Sequence, residues 1–105
     1  MKHEVPFYIL AEDGKTPKRV KDVIEWAQAF EKQDRQVAED FIGRVRVSTV
    51  FLGIDHDWSG IRKPVLWETM IFGKGFEYQT RANSRVAALK NHTEAIEVVK
   101  ASRKK

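Results

Sequence analysis

A chain of 105 residues with no cysteine has room for one hydrophobic core and must hold it without disulfides or thiolate metal sites. Its 42% hydrophobic content excludes a disordered chain, and the apolar stretch Phe7 to Leu10 is too short for a signal core or a membrane span, so the sequence reads as one cytosolic domain over 1–105. Lys100, Arg103, Lys104 and Lys105 account for the net charge of +4 and leave 15 basic against 15 acidic residues elsewhere, which marks a short basic tail over 100–105 and not a basic binding face.

In chain order, Phe7 to Leu10 reads as a strand entering a turn at Asp13-Gly14, with Lys18 to Val20 as a returning strand. Asp22 stands three residues before Glu25, the spacing of a helix start, and Val23, Trp26, Ala27 and Phe30 follow on one helical stripe. That helix is expected to end among residues 31–36 or to run on through Val37 and Ala38 to Phe41. Arg44 to Leu52, rich in β-branched residues, is the clearest strand. A polar connection over 53–63 leads to Pro64 and a second long strand, Val65 to Phe72, pairing antiparallel with the first. Gly73 to Gly75 makes a turn, Phe76 to Thr80 a shorter strand, and Thr80 is placed to cap a long last helix. The stripe of that helix is Ala82, Val86, Leu89, Ile96 and Val99, and His92 falls on it. The fold class is therefore α+β: an antiparallel sheet of three to five strands packed by two helices, the longer one C-terminal. Large apolar side chains on both faces of 65–72 predict a homo-oligomer.

The densest polar cluster is Asp55-His56-Asp57, with Glu68 on the neighbouring strand and His92 on the last helix. Two histidines with carboxylates suit a divalent cation, and a histidine oriented by an aspartate suits a general base. Against both stands the absence of any HExxH spacing, nucleophile elbow or phosphate-binding glycine loop, and Asp-His-Asp in a loop equally serves to bond its own backbone. Glu68, a carboxylate in an apolar strand, calls for Arg44, Arg46, Arg81 or His92 as its partner. Trp58 stands in the polar loop just ahead of Arg62 and Lys63, the combination that holds a base by stacking and a phosphate by charge, although packing over the sheet edge is the plainer use of such a ring. Arg44, Arg46, Arg62, Arg81 and Arg85 are further candidates for phosphate contact.

Val47 to His56, Trp67 to Gly73, Tyr78-Gln79-Thr80 and His92 together resemble a group of small proteins encoded in bacteriophage and prophage genomes, and Tyr8-Ile9-Leu10, Trp26-Ala27 and Phe30-Glu31 extend the likeness toward the N-terminus. The chain departs from that pattern in having Trp67 where Phe or Tyr is expected, and a short Gly73-Lys74-Gly75 turn in place of a longer loop. The resemblance implies a setting, the host bacterial cytoplasm, and no activity. The leading expectation is a phage-type accessory protein acting by binding, without cofactor, metal or membrane, that sequesters a nucleotide-like ligand or blocks a host defence protein. Asp55, His56, Asp57, Trp58, Arg62, Glu68 and His92 would line its site. The alternatives are a metal-dependent or acid-base hydrolase using His56, Asp57, Glu68 and His92, and weak single-stranded nucleic-acid binding through the tail and aromatics.

Overall fold

The computed structural model describes residues 7–55 and 63–103. Strands β1 (Phe7–Leu10) and β2 (Pro17–Val20) form an antiparallel hairpin. Its turn is locked by Asp13, whose carboxylate accepts from the backbone N–H of Lys15 and of Thr16, both at 2.8 Å, and from the Thr16 hydroxyl at 2.5 Å. Helix α1 (Val23–Lys32) starts at Asp22, whose side chain accepts from the Ile24 N–H as N-cap. The helix leans on the hairpin with Trp26, Ala29 and Phe30, while Val23 and Ala27 of the expected stripe face solvent.

Four strands then build an antiparallel sheet in the order β3 (Gln36–Ile42), β4 (Val45–Phe51), β5 (Trp67–Phe72), β6 (Gln79–Ala82). The helical extension toward Phe41 does not occur: residues 36–42 are β3, joined to β4 through the two-residue turn Gly43-Arg44. Gly43, at φ +63, supplies the left-handed conformation that the first position of such a turn requires. The last strand lies at 79–82, later than expected, so Ala82 belongs to β6 and Ser84, not Thr80, caps helix α2 (Arg85–Ser102) by accepting from the Ala87 N–H.

Helix α2 crosses all four strands on one face of the sheet. Its buried stripe is Ala88, His92, Ala95 and Val99, whereas Val86 is 80% exposed and Leu89 sits at the surface. The small alanines let the helix backbone approach the sheet closely, and Val86 and Leu89 turn outward. Fold class and helix order are as the sequence reads: α+β, with the longer helix C-terminal. The strands, however, divide into a four-stranded sheet carrying α2 and a separate hairpin carrying α1. No helix among the described residues is long and apolar enough to cross a membrane.

Candidate functional site

Side chains of a strand alternate between faces, so the register decides which polar groups can meet. Val47, Thr49 and Phe51 of β4 pair across with Ile71, Thr69 and Trp67 of β5, all on the face under α2. Between the apolar cluster around Val47, Ile71, Ala95 and Val99 and the cluster around Phe51, Trp67 and Ala88 runs a polar chain. Thr69 and Thr49 share a hydroxyl hydrogen bond of 2.6 Å, Thr49 Oγ1 meets His92 Nδ1 at 2.8 Å, and His92 Nε2 meets Asp40 Oδ2 at 2.8 Å. The one direction that satisfies every member with a neutral imidazole has Thr69 donating to Thr49, Thr49 to Nδ1, and Nε2–H to Asp40.

An Asp-His-Thr series of this kind suggests hydroxyl activation, but Thr49 is 0% exposed and Thr69 1%. No substrate can reach either oxygen, so the geometry fits a polar tie through the core and not acyl or phosphoryl transfer. Glu68 lies on the opposite face of the sheet from His92, bonded to Arg81 Nε at 3.1 Å and to the Gln79 amide, so these two candidates do not converge. Arg81 is one of the partners expected for Glu68. Asp55 accepts from the Val65 N–H at 2.9 Å and ties the two ends of its loop. His56, Asp57, Trp58 and Arg62 lie outside the described residues, and among the described residues no group of three or more potential metal ligands forms. The outer face of the sheet is closed in part by its own polar side chains: Arg46 pairs with Glu39 at 2.5 Å, and Gln36 bonds Ser48.

The feature best suited to a ligand is an open cleft of about 570 Å³ between the hairpin turn, the entry to β5 and the start of α2. Tyr8, Pro17, Pro64, Leu66 and Trp67 give it apolar walls. Lys15 from the turn, Lys63 ahead of β5 and Arg85 from α2 bring three cations to its rim, and no carboxylate among the described residues lines it. Helix α2 has no acidic residue in its first turn, in contrast to Glu25 in α1, so its positive end is uncompensated. Ser84 takes up the Ala87 N–H, and the amides of Arg85 and Val86 are left without intrahelical acceptors, as at any helix start. Trp67 is 3% exposed, and its indole N–H finds no acceptor among the described residues.

Of these residues, Lys63 was named as a cation beside an aromatic, Trp58 and not Trp67, and Arg85 only as a candidate for phosphate contact. Lys15 carried no signal, because the fold alone brings the hairpin turn to the start of α2. The chain matches no protein-family model, and no curated protein and no solved structure is detectably similar to it.

Proposed function

We propose that this chain is a non-enzymatic binding protein that takes up an anionic, nucleotide-like small molecule in the cleft between the β1–β2 turn and the start of α2. The supporting observation is the unbalanced polarity of that cleft: among the described residues Lys15, Lys63 and Arg85 stand around an apolar floor with no carboxylate, beside a helix N-terminus whose first turn holds no acidic residue. Tyr8 and Trp67 add aromatic surface of the kind a base or other flat ring packs against. The phage-like central pattern supports the same reading, a protein of the host bacterial cytoplasm that acts by sequestering a signalling nucleotide or obstructing a defence protein. Self-association belongs to the same reading, since Phe41 and Phe72, 65% and 44% exposed, flank Arg46 in one row on the outer face of the sheet.

A thermal-shift screen against linear and cyclic nucleotides tests the proposal. A ligand at about 100 times its dissociation constant adds about 2.7 kcal/mol, a shift on the order of 10 °C for a domain of this size. A shift with one nucleotide class that disappears in Arg85→Ala and Lys63→Ala supports the cleft as the site. No shift with any anion, or a shift indifferent to both substitutions, overturns it.

A further inference from the structure

Taking the cleft as the anion site, and resting on that reading, we infer that its ligand is a nucleoside carrying two or more linked phosphates, which bridge the hairpin turn to the start of α2. Lys15, Lys63 and Arg85 line the same cleft and form no ion pair among the described residues. The nearby carboxylate of Asp13 is already engaged by the Thr16 hydroxyl and by the amides of Thr16 and Lys15. Three cations and the partial positive charge of the helix end repel one another until an anion enters.

A carboxylate or a cyclic monophosphate brings one negative charge and leaves most of that repulsion in place. A diphosphate or triphosphate offsets it, and its length lets separate oxygens reach side chains that come from different elements. Trp67 lines the same cleft, and its indole N–H is a buried donor with no acceptor among the described residues. The walls to be bridged belong to different packing layers. Lys15 sits on the hairpin that carries α1, and Arg85 on the helix that covers the four-stranded sheet. A polyanion across them therefore fastens the hairpin to α2.

Calorimetric titration of the full chain with adenosine, AMP, cyclic AMP, ADP, ATP and pyrophosphate, at low and high salt, tests this. The expected result is a gain of about tenfold in affinity from AMP to ADP, competition by pyrophosphate, and a loss of about tenfold for ADP in Lys15→Ala and in Arg85→Ala with a smaller loss for AMP. ADP should also slow amide exchange in residues 7–20, which a ligand held by α2 alone would leave unchanged. Cyclic AMP or AMP binding as tightly as ADP, with Lys15→Ala silent, overturns the polyphosphate inference while leaving the cleft reading intact. Failure of every phosphate probe to bind overturns both. Circular dichroism on the two variants establishes that they fold, since both positions lie at the cleft rim and outside the core.

Discussion

The two helices of this protein are held in different ways. Helix α2 lies on its sheet through residues that exclude water almost completely, with Ala95 and Val99 at 0% exposure against Val47 at 0%, and Ala88 at 1% in the cluster of Phe51 at 1%. Helix α1 buries no residue fully. It is attached by a stack of rings, Phe7 on Trp26 at 4.8 Å and Trp26 on Phe30 at 4.7 Å between centroids, with the Arg35 guanidinium 3.7 Å above Phe30. Single hydrogen bonds complete the attachment: Trp26 Nε1 donates to the Gly53 carbonyl at 3.0 Å, and the Gln33 amide bonds both backbone groups of Leu10. Gly53, at φ +79, is fitted to this junction, because a Cβ there would come within 3.3 Å of both Phe30 and Trp26. Dry close packing makes the sheet and α2 the rigid half. Stacking and a few hydrogen bonds make the hairpin and α1 the half that opens first, and the proposed ligand cleft lies where the two meet.

The largest expected effect comes from opening the dry half. Phe51→Ala removes a ring packed edge-on against Trp67 at the centre of one apolar cluster, and should cost about 3–5 kcal/mol in denaturant unfolding. Phe30→Ala in the stacked half should cost about 1–2 kcal/mol, since that ring is only half-buried. Equal losses would mean that the two halves are not packed differently after all.

His92→Ala is expected to rank next, at about 2–3 kcal/mol, because it leaves the buried Thr49 hydroxyl without its imidazole partner. Thr49→Val, which keeps the volume, should cost at least as much as the hydrogen-bond part of His92→Ala, since it strands both the Thr69 hydroxyl and His92 Nδ1. Nitrogen NMR of His92 should show the proton on Nε2, toward Asp40, as the direction of the hydroxyl chain requires. A proton on Nδ1 in a neutral ring would mean that the chain runs the other way.

Trp26→Phe keeps the stack and removes only the indole N–H donated to Gly53, so a loss of about 1 kcal/mol is expected. Its sharper signature is local. Amide exchange should accelerate over residues 7–33 and stay unchanged in β4, β5 and α2. Uniform acceleration would erase the distinction between the halves.

The difference between the halves also governs what the sequence made legible. Strands β4 and β5 announce themselves through β-branched and aromatic residues, because both are central strands packed beneath α2. Strand β3 did not, since its inward position 40 is an aspartate, and an alternation interrupted by a charge reads as a loop or helix end until His92, 52 residues later, is seen to satisfy it. The stripe of α2 was misjudged for a related reason. His92, Ile96 and Val99 of the expected stripe do face the sheet, but Val86 and Leu89 do not, because at the first turns of a helix this close to a sheet Ala88 takes the inner position. His92 was correctly placed on the inner face, but its partners Asp40 and Thr49 come from strands that only pairing brings beneath the helix. The cleft was the least legible feature, as Lys15, Lys63 and Arg85 are 48 and 22 residues apart in succession, and nothing in their spacing points to a common site.

The smallest effect concerns the turn that carries Lys15. The Thr16 hydroxyl, followed by the amides of Thr16 and Lys15, holds the Asp13 carboxyl at a pKa of about 2, down from 3.8. Because the folded value is the lower one, the turn's contribution to stability is fully present above about pH 4 and is lost as pH falls through about 2. Asp13 is fully exposed, so the change belongs to the turn and not to the global fold. Acid titration of the Lys15 and Thr16 amide signals should therefore show a transition near pH 2 of their own, absent from the amides of β4 and β5. In Asp13→Asn the transition at the turn should vanish and the hairpin amides should exchange faster at neutral pH. A turn that titrates identically in the variant would show that Asp13 does not lock it. The turn would then owe its place at the cleft to the pairing of β1 with β2 alone.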